Sequence, residues 1–368
     1  MRRRSSPIPA IICDVNPLDI TAPERETGAN KQKTWEGRLF KALLAGMGAL
    51  AALAAMPADA RTERIKVHGA SLEGNLDGNS PNRDVFVFLP PSYDSSSAKR
   101  YPVVYFLHGY SVGIDAYDGL AHFQEAVDQA AAAGNEMILV MPDANTKFKG
   151  AMYGASVTTG DFPRYVAQDL VGYIDGHYRT LASPASRGLS GHSMGGFGTL
   201  KIAMMYPGVF SSIYAMAPCC LSPSNMTAEQ LATVAALTPE QIASGAGFAL
   251  ATPATLAAWA PDPSNPPLYV STGVKDGVVD PLLLARLHAN SPLVMLPQYI
   301  PAMKALEAIR VEVGDKDFLL RDDTWMHEEL DRFGVTHEWQ VFEGDHGNRV
   351  NARIRSDLLP FFGAHLDK

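Results

Sequence analysis

Cysteine is scarce in this chain. Only Cys13, Cys219 and Cys220 occur in 368 residues. Two of them are neighbours, so they cannot close an ordinary disulfide loop; free thiols or a strained vicinal disulfide are the remaining options. No Cys/His spacing suggests zinc, and no metal or cofactor is expected. Positive charge is also short. The chain carries 31 Lys and Arg against 39 Asp and Glu, a net charge of −8. No basic run and no basic–aromatic pattern occurs, which argues against nucleic acid as a partner. Long apolar runs are lacking too. The one candidate, residues 42–56, is shorter than the roughly 20 residues that span a bilayer, so no stable membrane insertion is expected. No internal repeat is visible.

What is present divides unevenly. Residues 42–56 read ALLAGMGALAALAAM, preceded by Arg38 and Lys41 and followed by Ala58-Asp59-Ala60. A basic flank, an apolar stretch and small residues form the three-part pattern of a secretory signal peptide. The alternative, a core helix, would have nothing to bury against outside the main domain. Cleavage near 60/61 is therefore expected, with a secreted or periplasmic product. About forty residues precede the apolar run, a long leader for such a signal; Arg2-Arg3-Arg4 lies too far upstream to count as a twin-arginine signal. Without residues 1–60 the chain holds 23 basic and 33 acidic residues, a net charge of −10.

Residues 61–368 read as one domain. Arg64–His68 and Asp84–Leu89 alternate like an antiparallel pair of strands. Val103–Leu107 and Met137–Met141 are continuous apolar runs, as expected of strands covered on both faces. Helical spacing runs over 121–132, 162–178, 195–206, 323–333 and 350–362. Further strands are expected at 188–190, 210–216, 308–313 and 337–342. Strand and helix alternate, which predicts a mostly parallel central sheet with helices on both faces. Residues 221–300 interrupt the alternation. Thr227-Ala-Glu-Gln and Thr238-Pro-Glu-Gln are capped helix starts, so this stretch is read as a helical insertion covering one edge of a site.

Gly191-His192-Ser193-Met194-Gly195 matches G-x-S-x-G. The pattern alone is weak, but it falls between a short strand and a helix, where a nucleophile elbow belongs. Small residues two before and two after the serine are a steric need there. The following helix would aim its positive dipole end at the site. A serine hydroxyl needs a base. In the chain order Ser, acid, His, the histidine follows the last strand, which selects His346 in Glu343-Gly-Asp-His-Gly. His327 and His337 fall on a helix and a strand start, where solvated or capping roles are expected. His192, in the elbow itself, should point away from the serine.

The acid must orient the imidazole. It should follow the strand at 308–313, where Asp315 and Asp317 stand; Asp317 leaves room for the turn back to His346. Asp276-Gly277 also follows a strand-like run, 268–270, but reads as a tight turn. Two amides are needed for the developing oxyanion. Met194 N–H follows the nucleophile. Tyr110 N–H, with Ser111 second, follows Leu107-His108-Gly109, where Gly109 would allow close backbone approach.

With these residues in view, the sequence resembles the esterase D-like family of α/β-hydrolases. That family includes S-formylglutathione hydrolases, bacterial feruloyl and acetyl-xylan esterases, and mycolyltransferases. The resemblance spans about 62–365 and rests on Tyr105–Tyr110, Asp169–Val171 with Tyr178–Thr180, Gly191–Gly196, Val313–Asp317 and Gly344–Gly347. It implies the α/β-hydrolase fold, with Ser193 as nucleophile, Asp317 as acid, His346 as base, and Tyr110 and Met194 as oxyanion donors. It also implies that the loop from Tyr153 to Asp161 lies near the site. His108, Tyr153 and Cys219 are the candidate substrate contacts. The 221–300 insertion departs from the compact members of the family.

The implied activity is that of a serine carboxylesterase acting on a small-molecule or glycan ester through an acyl-enzyme. Two alternatives share the scaffold: an acyltransferase with a sugar or other alcohol as acceptor, and a non-catalytic secreted binding protein.

Overall fold

The computed structural model describes residues 61–368 apart from Ser224 and Ala246. The expected signal peptide and Cys13 lie outside the described residues.

Eight strands make the main sheet: β1 (Thr62–His68), β2 (Asn82–Phe88), β3 (Val103–Leu107), β4 (Ile138–Pro142), β5 (Arg187–His192), β6 (Ser212–Met216), β7 (Ala308–Gly314) and β8 (Glu338–Phe342). Their spatial order is β1-β2-β4-β3-β5-β6-β7-β8. β2 pairs antiparallel with β1 and β4; every other pairing is parallel. This is the α/β-hydrolase fold. All residues of β3, β4, β5 and β6 are buried. Helices cover both sheet faces, so β3 and β4 carry apolar side chains without alternation, while β5 buries Arg187, Ser190 and His192 among its residues.

On one side lie α1 (Ile114–Ala121), α2 (Phe123–Ala132) and the closing helix α11 (350–365). They pack with Phe88, Phe106 and Tyr214 in one apolar cluster. The helix expected over 121–132 is α2, which starts two residues later, and α1 ahead of it was not expected. His122 takes φ +50 between them, and its N–H bonds the Asp118 carbonyl, a left-handed cap. The other side holds α3 (162–177), α4 (Met194–Met205) and the insertion. α4 is buried nearly all round, which explains why its sequence lacks a polar face.

Among the described residues, five further α-helices stand between β6 and β7: α5 (Ala228–Ala235), α6 (Pro239–Ser244), α7 (Ala251–Trp259), α8 (Pro281–His288) and α9 (Pro292–Lys304). Thr227 and Thr238 both form complete capping boxes, with Gln230 and Gln241. The strand-like run 268–270 makes only an isolated bridge, Val270 to Pro261. Asp276 and Gly277 take φ +51 and +76 at the tip of a short hairpin, so the Asp-Gly pair is a tight turn. α10 (Leu320–Arg332) joins β7 to β8.

Candidate active site

Ser193 sits between β5 and α4 with φ +57 and ψ −116. This strained conformation is held by its surroundings. Its N–H donates to the Met216 carbonyl (2.9 Å), and its own carbonyl accepts from Phe197 (3.0 Å) and Cys219 (3.1 Å). The flanking glycines are sterically required. A Cβ at Gly195 would lie 1.8 Å from the Leu107 carbonyl oxygen, and one at Gly191 would lie 2.4 Å from Gly195. Gly109 differs from the expectation: a Cβ there would meet Ser193 and His192 at an ordinary 3.6 Å. Close packing at that point does not demand glycine.

Two loops bring the partners. β7 ends at Gly314, and Asp317 follows three residues later. β8 ends at Phe342, and His346 follows four residues later. The parallel strands set the loops side by side, and short bonds knit them. Lys316 N–H donates to the Gly344 carbonyl (2.9 Å), and the Asp315 carboxylate accepts from Gly344 N–H (2.9 Å). Asp315 is thus a loop tie. Asp345 accepts from Gly347 and Asn348, which shapes the turn and holds its carboxyl below the usual range.

Asp317 is buried; one oxygen accepts from Leu319 N–H (2.9 Å), and the other lies 2.8 Å from His346 Nδ1. His346 Nε2 lies 2.9 Å from Ser193 Oγ. With the Nδ1–H donating to the carboxylate, Nε2 is left as acceptor for the serine hydroxyl; this tautomer is assigned from the network. The structure therefore joins all three expected residues in one hydrogen-bonded chain.

Among the described residues, neither Tyr110 N–H nor Met194 N–H donates a hydrogen bond. Ser111 N–H is committed to the Lys149 carbonyl (3.0 Å), which removes the second choice. Met194 opens α4, so its amide is one of the unsatisfied donors of a helix start. The Tyr110 ring is fixed by its hydroxyl, which donates to the Phe148 carbonyl (2.7 Å).

The candidate substrate contacts fare less well. His108 is fully buried with both ring nitrogens engaged: Nδ1 donates to the Gly109 carbonyl, and Nε2 accepts from Ala144 N–H, each at 2.8 Å. Burial holds this ring neutral by lowering its pKa. It braces the loop behind Tyr110 and offers nothing to a ligand. Tyr153 is also fully buried, packed where a Gly198 Cβ would clash with its ring. Cys219 is half-buried; its amide holds the Ser193 carbonyl, and its sulfur lies 2.7 Å from that of Cys220.

Three neighbours were not legible beforehand. His192 Nε2 donates to the His346 carbonyl (2.8 Å). Phe318, half exposed, places its ring 4.7 Å from the His346 ring. Phe248, in the insertion and also half exposed, stacks on Tyr110 at 5.8 Å. Their residue types carry no pattern that links them to positions so distant in the chain.

Comparison with known proteins gives the family and the fold. The family model "Esterase", described as "Putative esterase", matches residues 79–349. Esterase Rv1288 and Esterase MT1326, both from Mycobacterium tuberculosis, are each 35% identical over 136 residues. The match covers 36% of this chain and 28% of each relative, so the chain spans under a third of their length. Among solved structures, a ferulic acid esterase aligns with TM-score 0.60 at 20% identity, over 84% of this chain and 99% of that one. An S-formylglutathione hydrolase from Agrobacterium tumefaciens aligns with TM-score 0.56 at 17% identity, over 84% and 97%. These likenesses show the shared fold.

Proposed function

Because the chain belongs to the Esterase family, we propose that it is a serine carboxylesterase in which Ser193, His346 and Asp317 are the catalytic triad. The observation that carries this reading is the continuous chain from Ser193 Oγ to His346 to Asp317, beside two undonated amides.

Ser193 Oγ attacks the ester carbonyl carbon while its proton passes to His346 Nε2. Asp317 steadies the imidazolium through Nδ1–H. The carbonyl oxygen becomes an oxyanion and takes hydrogen bonds from Tyr110 and Met194 N–H. Removal of one such donor typically costs about 10²–10³ in rate. The C–O bond to the alcohol then breaks, and the alcohol leaves with the proton from His346. Water, deprotonated by the same nitrogen, attacks the acyl-enzyme and returns Ser193. Phe318 beside the base and Phe248 beside the oxyanion loop offer apolar surface to the substrate, a small-molecule or glycan ester.

Export is part of the proposal and rests on the pattern at 38–60. Among the described residues, no helix is long and apolar enough to cross a membrane. Sequencing of the N-terminus of protein recovered from the periplasm or medium should start near residue 61. A product that retains residues 1–60 would oppose it.

The activity is tested with a panel of p-nitrophenyl esters and a fluorophosphonate probe, wild type beside Ser193→Ala. Wild type should hydrolyse and label, and the variant should do neither. Equal rates in both would overturn the assignment, and silence in both would favour the binding-protein reading. Product analysis with an added alcohol separates hydrolysis from acyl transfer.

A further inference from the structure

Away from Ser193, three metal-binding side chains converge where α10 meets β8. His327 and Asp331 lie one turn apart on α10, and His337 immediately precedes β8. One donor atom from each lies within 4.8 Å of the other two. His327 Nδ1 and His337 Nε2 are 2.8 Å apart. The Asp331 carboxylate now faces the other nitrogen of each ring, Oδ2 3.7 Å from His327 Nε2 and Oδ1 4.0 Å from His337 Nδ1, so it must turn to reach an ion held between His327 Nδ1 and His337 Nε2.

The surroundings fix these rings. The His337 side chain is only 2% exposed, and its Nδ1–H donates to the Val335 carbonyl (2.8 Å). That bond selects the tautomer whose Nε2 lone pair faces His327. A ring N–H given to a backbone carbonyl is the usual outer support of a metal-binding histidine. The His327 ring lies flat against Trp339, 5.1 Å between centroids and 9° from parallel. Asp331 is exposed, so its carboxylate can swing in and a water can fill a fourth position.

We propose that His327, Asp331 and His337 form a binding site for a divalent transition-metal ion. Two imidazoles, one carboxylate and an open position suit zinc in tetrahedral geometry. Bonds of about 2.0–2.1 Å set tetrahedral nitrogens about 3.4 Å apart, so the two rings must part by about half an ångström and turn until both lone pairs meet at the ion. The ion tethers α10 to the start of β8. Asp317 precedes that helix–strand unit and His346 follows it. The site is therefore structural and stands apart from the reacting atoms. Sequence spacing hid it, since the residues combine a helical turn with a loop.

The test uses untagged protein, freed of metal with EDTA and titrated with zinc chloride by calorimetry. One equivalent should bind, and a hundredfold excess over Kd should raise Tm by about 4 °C. Nickel chloride should bind competitively and quench Trp339 fluorescence. His327→Gln and His337→Asn should lose both the stoichiometric heat and the quench. Trp339→Phe should keep the binding and lose the quench. If wild type takes up no ion, or if both histidine variants bind and quench as wild type does, the pair is only hydrogen-bonded and the proposal fails. Should a histidine variant fold poorly, Asp331→Asn, at an exposed position, must still weaken binding.

Discussion

His192 Nε2 donates a 2.8 Å hydrogen bond to the main-chain carbonyl of His346. The elbow that carries Ser193 thus also props the loop that carries its partner. His192 is buried, and burial, followed by the nearby His346, lowers its pKa to about 3; the bond to the His346 carbonyl works the other way. The native state therefore holds a neutral ring down to pH ~3, whereas the unfolded chain protonates it below about 6.5. Between those values the unfolded state binds more protons, so this contribution to stability is present above pH 6.5 and is lost as pH falls. The loss is at most about 1.4 kcal/mol per pH unit. Thermal unfolding from pH 7 to 4 should show a falling Tm, and His192→Gln, which can still donate, should flatten that fall. An unchanged slope in the variant would count against the assignment.

Asp317→Asn should keep the fold, by circular dichroism, while kcat drops by roughly 10³–10⁴. An amide cannot accept from Nδ1–H while steadying a cation as a carboxylate does. The variant's kcat on p-nitrophenyl acetate checks this. A loss under tenfold would make Asp317 a loop residue only.

Gly195→Ala should be severely destabilising, because its Cβ would lie 1.8 Å from the Leu107 carbonyl oxygen and backbone has nowhere to move in so buried a sheet. Gly172→Ala is the control. That glycine is in α3 with nothing within 4 Å of the new Cβ, so the change should stabilise by about 0.5–1 kcal/mol. Denaturant unfolding of the two side by side measures the contrast.

Asp323 is fully buried in the first turn of α10, and neither carboxyl oxygen has a partner among the described residues. Burial, then the charge of Asp317, raises its pKa well above the ordinary value. The native state keeps a proton that the unfolded chain releases above pH ~4. This residue therefore costs stability increasingly as pH rises from there. Asp323→Leu, nearly the same shape without the polar atoms, should raise Tm at pH 8 more than at pH 4. An equal effect at both would disprove the buried-acid account.

Much of the fold was readable from local pattern. The strand at 103–107 and both capping boxes follow from apolar runs and Thr-x-x-Gln spacing, signals carried by contiguous residues. The break at His122 was not readable, because nothing in its neighbourhood forces φ +50. Nor was the failure of 268–270 to join the sheet, since a short apolar run does not say what lies beside it. For the site, Ser193, Asp317 and His346 could be picked by chain order and glycine placement. His108 stands beside the proposed oxyanion loop in sequence, and Tyr153 is a candidate only through the family resemblance. Their burial depends on which loop packs over them.

The sequence by itself determined the tight strand–Ser193–helix turn, because only small residues at 191 and 195 allow strand and helix to pass so closely, and that demand is written locally. Tertiary structure alone decided the rest of the site. Adjacent parallel strands β7 and β8 place the Asp317 and His346 loops together. Lys149 takes the Ser111 amide and leaves that of Tyr110 free. Phe248 reaches Tyr110 from an insertion more than a hundred residues away. Such contacts arise from the packing of elements, and no window of sequence contains both partners.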